Sequence, residues 1–432
     1  MKKEIIERIE MINLGEAPQG YKKIKSAIIP ETWKYEKASN YFSSNTNKKH
    51  NGKLTVLSAT QDKGIIPRDQ VDIDIKYSEE SLSSYKQVDI GDFVISLRSF
   101  QGGIEYSKFN GIVSPAYTVI KNKIQICAGY YKSYFKTDTF ISILNSTIYG
   151  IRDGKQIRFD DFSLLRIHYP PLPEQEKINE ILSCCDESIK LKENLVEQKR
   201  QQKEYLMQNL LNPDSDVRVK GFENSEWETA KFDNLCVFIG NLSIPRDQLT
   251  NEGTCYLHYG DIHKSDRTYI VADDYQLMPK FLNERNINVE KYLLYDGDIV
   301  FVDASEDIDG VSKYVVISNP NKISFIAGLH TIIARSRNND MDNTFKRYVF
   351  QAEYIKKQFA FYKSGMKVFG LSKTNIAKIQ LRLPPIDEQI AIANILSIAD
   401  REIELLQKGL DAQRQLKKAL MQLLLTGKVR CM

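Results

Sequence analysis

"PPLPEQEKINEILS" (residues 170–183) and "PPIDEQIAIANILS" (residues 384–397) open the same kind of segment twice, 214 positions apart. Paired prolines can neither continue a strand ladder nor sit inside a helix, so each pair halts the run before it. Pro173 suits a first helical turn, and Glu174 with Glu176, or Asp387 with Glu388, suits the positive end of a helix. The offset extends well beyond the quoted stretch. It pairs Ile178 with Ile392, Leu182 with Leu396, Asp186 with Asp400, Leu191 with Leu405, Met207 with Met421 and Leu211 with Leu425, without a gap. A register kept this long marks an internal repeat.

Each motif leads into a long helical pattern, expected from about Glu174 to Leu211, where "NPDSD" ends it, and from about Glu388 to Leu425, ended by "TGK". Ile178, Ile181, Ile189, Leu195, Leu206 and Leu210 make one stripe at steps of three and four. Ile392, Ile395, Ile403, Leu406, Leu410, Leu420 and Leu424 make the other, fuller one. The middle of the first helix, "KLKENLVEQKRQQKE", is much more polar. Such helices cannot bury their stripes alone. The simplest solution is a coiled coil between the two copies, antiparallel because a pseudo-two-fold axis would relate them.

Trp33 and Trp227, the two tryptophans of the chain, open the two halves. From tryptophan to Pro-Pro is 137 residues in one half and 157 in the other, so the ends match while the middles differ. Those middles alternate β-rich runs ("GDFVISL", "AYTVI", "DIVFVD", "KYVVIS", "LHTIIAR") with Gly, Asn, Asp and Ser turns, and add short helices such as "TDTFISILNST" and "NTFKRYVFQAEYIKKQFAFYK". "DIGDFVIS" and "YDGDIVFV" both read as a turn feeding a strand, whereas "NYFSSNTNKKHNGK" and "GDIHKSDRTY" read as loops. The fold class is therefore α+β. Matched frames with divergent middles suit a scaffold presenting two different readers.

Composition adds bounds. A chain of 432 residues exceeds one ordinary core. The six cysteines form no C-x-x-C pair, so neither zinc nor a disulfide framework is expected. The N-terminus lacks a signal-like apolar stretch and no run approaches a membrane span, which points to the cytoplasm. Net charge is only +4, so any nucleic-acid surface must come from the arrangement of charge.

The tandem of variable regions, each leading into "PPL/I-x-EQ"-type motifs (Pro170–Gln175, Pro384–Gln389) and a long helix ending "LMQ-x-LL", resembles the specificity subunits of type I restriction–modification systems. "SLRSFQGGIEYSKFNGIVSPAYTVI" is similar to the interior of a target recognition domain of that family, and "LMQLLLTGKVR" to its C-terminal signature. The resemblance implies two α+β target recognition domains in tandem, each reading half of a split sequence in double-stranded DNA. The two long antiparallel helices between them would form a coiled-coil spacer. It implies docking of two modification (methyltransferase) subunits, which would bind S-adenosylmethionine, and of restriction (motor-nuclease) subunits. It implies no catalysis, cofactor or metal in the chain itself, and no membrane. The expected divisions are an N-terminal segment at 1–29 that could complete the second half in a circular arrangement, domains at 30–169 and 213–383, and spacer helices at 170–212 and 384–432.

Lys and Arg in loops grip phosphates and read base edges. On side-chain type and loop position the DNA-contact candidates are Lys48, Lys49, Arg98, Lys155 and Arg158 in the first domain, and Lys264, Arg267, Lys363 and Lys367 in the second. Two other readings compete. As a DNA methyltransferase the chain would need an Asn/Asp-Pro-Pro-aromatic motif, but Tyr169 and Leu383 precede its proline pairs. As a nuclease it would lean on Asp74-Ile75-Lys76, which lacks a spaced upstream acid and reads better as a strand. His258 and His263 lie five apart beside Asp261, but with no further metal ligand evident the stretch reads better as turn surface. A scaffold joining two proteins without touching DNA would need both middles to bind protein.

Overall fold

The computed structural model describes all residues except 1–2, 51, 62, 72–78, 147–156, 266, 283–287, 306–311, 364–368 and 432. The chain divides into two compact units. One is Met1–Glu193 together with Lys408–Met432, and the other is Asn194–Gln407. Each unit therefore holds one α+β domain, the start of the long helix that follows it, and the last part of the other long helix.

The long helices span Leu172–Leu210 and Ile386–Leu424, 39 residues each. That is about 58 Å at ~1.5 Å per residue. Both begin two residues before the expected acidic positions, directly after the proline pair. In the first unit Ile178, Ile181, Leu182, Leu420, Leu424 and Leu425 join one core with Trp33 and Ile167. In the second unit Leu206, Leu210, Ile392, Ile395 and Leu396 join the core that holds Phe232 and Leu381.

Within each unit the two helical segments run antiparallel, and their polar side chains cross in pairs that obey the repeat. Asp186 takes Lys417 in the first unit, and Lys203 takes Asp400 at 2.5 Å in the second. Ser188 meets Gln413 at 2.9 Å, and Lys199 meets Glu402 at 2.8 Å. Glu193 meets Arg414 at 2.6 Å, and Arg200 meets Gln407 at 3.4 Å. Each position pairs with the partner that lies 214 residues from its counterpart's. The polar middle of the first helix is thus answered side chain by side chain. There Val196, not the neighbouring Leu195, is the buried residue of the stripe.

Each domain carries its own sheet, and the two sheets have the same strand order despite their unlike sequences. In the first, the order is Phe42–Asn45, Thr118–Asn122, Phe93–Ile95, Glu105–Tyr106. In the second it is Cys236–Ile239, Thr331–Ser336, Ile299–Val302, Tyr314–Ile317, with Tyr269–Ile270 added at the edge. The segment at 40–53, expected as a loop, thus contributes an edge strand. The strand pairs with 119–122 and buries Phe42 in the core, while Ser43, Ser44 and Asn45 stay partly or fully exposed. The segment at 260–269, also expected as a loop, holds the end of helix Tyr259–Lys264 and the start of strand Tyr269–Ile270, because Ile262 and Ile270 reach the core. The helical pattern at 343–363 breaks into Lys346–Val349 and Glu353–Tyr362.

The echo "DIGDFVIS"/"YDGDIVFV" is a true structural repeat. Gly91 and Gly297 turn the chain at φ +98° and +80°. The buried Asp92 and Asp298 then accept the backbone N–H three residues back, at 2.9 and 2.7 Å, before the central strand begins. From the adjacent strand, 214 residues apart once more, Lys121 reaches Asp92 at 3.7 Å and Arg335 reaches Asp298 at 2.7 Å.

A second, two-stranded pairing closes each domain: Lys34–Lys37 with Arg166–Tyr169, and Glu228–Lys231 with Gln380–Leu383. It brings the first and last strands of the domain to the proline pair. The N-terminal helix Lys3–Asn13 and the hairpin Tyr21–Ile24/Ala27–Pro30 belong to the first unit. There the Tyr21 hydroxyl donates to the Gly427 carbonyl at 2.9 Å, and Lys428 donates to Asn13 at 2.7 Å.

Candidate nucleic-acid interface

The motif that opens each helix fastens the domain to it. Gln175 and Gln389 are buried. The Gln175 amide oxygen accepts the Cys127 N–H at 2.9 Å, and its nitrogen donates to the Pro170 carbonyl at 2.8 Å. Gln389 repeats both bonds, with the Asp342 N–H and the Pro384 carbonyl at 2.9 Å, and adds the Asp340 carbonyl at 2.9 Å. Each glutamine therefore satisfies the backbone of a domain loop and of the chain entering the helix, which cannot be hydrated there. The preceding glutamates differ. Glu174 accepts the Trp33 indole N–H at 2.9 Å and pairs with Arg430 at 2.9 Å. In the second unit Glu388 takes the Ser225 hydroxyl, while Trp227 stacks under Arg218 at 5.4 Å.

With the frame fixed, the divergent loops carry the cations. In the first unit the loop at 45–50 is folded by its asparagines. Asn45 accepts the Asn47 N–H at 3.1 Å, Asn47 accepts the Lys49 N–H at 2.9 Å, and the Asn47 amide donates to Gln87 at 3.0 Å. Lys48 and Lys49 stand exposed at its tip. Lys86 donates to the Tyr117 carbonyl at 2.5 Å, and its ammonium is held below the usual lysine range by burial and then by the charge of Lys48. Burial raises the Tyr117 phenol, and the guanidiniums of Arg68 and Arg98 oppose that rise. Arg98 and Arg68 thus act on Tyr117, and Lys48 acts on the Lys86 that is bound to the Tyr117 carbonyl. Arg68 and Lys86 carry no pattern in sequence that singles them out. Arg158 is exposed elsewhere, at the start of helix Phe159–Leu164, where its N–H donates to Asp161 at 3.2 Å.

In the second unit Arg267 and Lys363 line one cleft of about 620 Å³, with Lys313, Lys356 and Lys357 beside them and Tyr314, Phe350 and Phe359 in its wall. Most of these cations are engaged. Arg267 lies 3.6 Å from both Asp274 and Glu404, Lys313 donates to the His263 carbonyl at 2.8 Å, and Lys357 is 3.9 Å from Glu353. Lys264 is exposed at the end of its short helix. Lys155, Lys367 and the segment Asp74-Ile75-Lys76 lie outside the described residues.

His258 accepts the Gly260 N–H at 3.0 Å through its Nδ1. Among the described residues no three His, Cys, Asp or Glu side chains converge as a metal site would require, and no helix is long and apolar enough to cross a membrane.

A family model, the type I restriction modification DNA specificity domain, matches residues 30–198 and again 224–413. The chain belongs to this family. The two matches of the specificity domain coincide with the two halves that the repeated proline motif marks out. Among curated relatives, the chain is 29% identical over 273 residues to the putative type I restriction enzyme MjaX specificity subunit of Methanocaldococcus jannaschii, covering 62% of this chain and 60% of that one. It is 26% identical over 283 residues to the MjaVIII specificity subunit of the same organism, covering 62% and 63%. The chain thus spans about three fifths of the length of these relatives. Solved structures share the specificity-subunit fold over nearly the whole chain. The HsdS subunit of Thermoanaerobacter tengcongensis aligns at TM-score 0.50 with 15% identity, over 93% of this chain and 98% of that one. A chain from a type I R-M system aligns at 0.58 with 14% identity, over 93% and 99%. The S subunit of M. genitalium aligns at 0.52 with 13% identity, over 91% and 96%.

Proposed function

We propose that this chain is the sequence-reading subunit of a type I restriction–modification complex. Its two α+β domains, 30–169 and 213–383, each read one half of a bipartite, gapped target in double-stranded DNA. The paired helices set the gap and dock two modification subunits, which supply S-adenosylmethionine and methylate the DNA, and restriction subunits join that assembly in the cytoplasm. The chain itself performs no catalysis.

The observation that carries this reading is the repeat of the frame against the divergence of the heads. The glutamine lock, the cross-helix pairs and the Asp-turn sheet recur at the same spacing. The loops that bear Lys48, Lys49 and Arg98 in one domain and Arg267 and Lys363 in the other share no such correspondence. Contacts to bases and phosphates need only placed donors on a rigid support, so unlike loops on like supports suit two unlike half-sites.

The helices also offer a place for partners. Leu191 is 69% exposed, and its repeat mate Leu405 is 60% exposed. Cys184 is exposed, and its mate Ile398 is 68% exposed. Both helices thus leave the same two apolar positions, one heptad apart, without cover from their own unit.

The test is to map methylated adenines in the host genome with and without this gene. A split motif that vanishes on deletion supports the reading. Exchange of residues 33–165 for the domain of another family member should then change one half of the motif and leave the other. If the motif is indifferent to that exchange, the chain is a scaffold. If the purified chain alone methylates DNA with S-adenosylmethionine, it is an enzyme.

A further inference from the structure

We propose that Lys63, Lys108 and Lys132 of the first unit form a phosphate clamp for the duplex backbone, separate from the loop cations that face bases. This rests on the DNA-reading function proposed above.

The three lysines come from different elements. Lys63 sits at the tip of the hairpin Leu57–Thr60/Gly64–Pro67. Lys108 follows strand Glu105–Tyr106, which an isolated bridge from Ser107 to Ile65 ties to that hairpin. Lys132 lies on helix Ala128–Tyr134. They surround one cleft of about 590 Å³, shared with Lys136 and Lys417. Two acids also line it, and each already holds a lysine. Glu105, buried, takes Lys136, which donates as well to the Gly102 carbonyl at 2.7 Å. Asp186 takes Lys417 across the helix pair. The described lining residues therefore leave three positive charges over. None of the three remaining ammonium groups meets an acceptor among the described residues.

Like charges held together without counter-ions cost stability, so such a cluster on ordered elements implies an anion that joins them. At Lys132 burial and then Lys108 pull the ammonium down, and Asp186 offsets only part of that. Lysine binds phosphate as a compact point charge without fixing its direction, which suits a sugar–phosphate backbone rather than a base edge. In the cleft of the second unit Arg267, Lys313 and Lys357 are already held by protein acceptors.

The test uses the full chain assembled with its methyltransferase partner. Binding is followed by fluorescence anisotropy on two duplexes, one carrying the mapped methylation motif and one scrambled, as salt rises from about 50 to 200 mM. The triple variant K63A/K108A/K132A should lower the slope of log affinity against log salt by about 2–3, at ~0.9 per phosphate contact. The loss should be equal on both duplexes, with the ratio between them kept. The variant K63R/K108R/K132R should retain the wild-type slope. An unchanged slope in the alanine variant, a loss confined to the cognate duplex, or departure of the methyltransferase from the complex would each overturn the clamp. If the wild-type complex binds neither duplex, it is the DNA-reading function that fails.

Discussion

Replacing Gln175 by leucine keeps the volume of a buried side chain and removes its polar atoms. The Cys127 N–H and the Pro170 carbonyl then lose partners at 2.9 and 2.8 Å in a place closed to water. Each stranded group costs about 1–3 kcal/mol, so the expected destabilisation is about 2–6 kcal/mol. In a unit of roughly 200 residues one kcal/mol moves the melting temperature by about 2–4 °C, which places the shift at about 4–24 °C. Gln389→Leu strands three groups and should cost at least as much, in the other unit. Differential scanning calorimetry of the full chain is the assay. Each variant should depress the transition of its own unit and leave the other near its wild-type temperature. Gln201→Leu, on the exposed face of the first helix, is the reference and should stay within about 0.5 kcal/mol. If Gln175→Leu melts no lower than Gln201→Leu, the amide does not hold the domain to the helix, and the repeated motif needs another explanation.

Arg335→Ala should destabilise the second unit by about 3–5 kcal/mol in urea unfolding, because it leaves the buried Asp298 without its cation, and adding D298N should recover part of that loss. His168 is packed among Trp33, Tyr35 and Tyr134, and burial pushes its imidazole down to about 4. The unfolded chain therefore takes the proton first as pH falls. Stability of the first unit should be complete above about pH 6.5 and decline by about 2–3 kcal/mol toward pH 4, and His168→Gln should flatten the profile. Asp186→Lys or Lys417→Asp alone should cost up to about 1 kcal/mol, and the double reversal should restore the loss in a mutant cycle.

What was legible in the sequence was whatever obeyed a period. The helices, their antiparallel pairing and the Asp-turn strands follow from apolar steps and a constant offset, and a short-range rule suffices to find them. The Phe42–Asn45 strand was hidden because three of its four residues are polar and its partner lies about 75 residues away, beyond any local pattern. The same holds for the candidate site. Lys48 and Arg98 could be nominated by residue type, but that Arg68 joins Arg98 at Tyr117, and Lys86 joins Lys48, depends on the tertiary fold. Lys63, Lys108 and Lys132 are ordinary lysines in sequence. Only the acids spent on Lys136 and Lys417 set them apart. Arg267, an equally good candidate by type, turns out to be occupied by two carboxylates.

The first unit is completed by residues 420–430, since Leu420, Leu424, Leu425 and Arg430 cover Ile178, Trp33 and Glu174. At about 5–20 residues per second, roughly 10–50 s of synthesis separate the emergence of the first domain from that of its cover. During that interval the half made first waits with an open hydrophobic seam, whereas the half made second finds all of its pieces already translated. A premature stop just before residue 420 would therefore damage the domain encoded farthest from it.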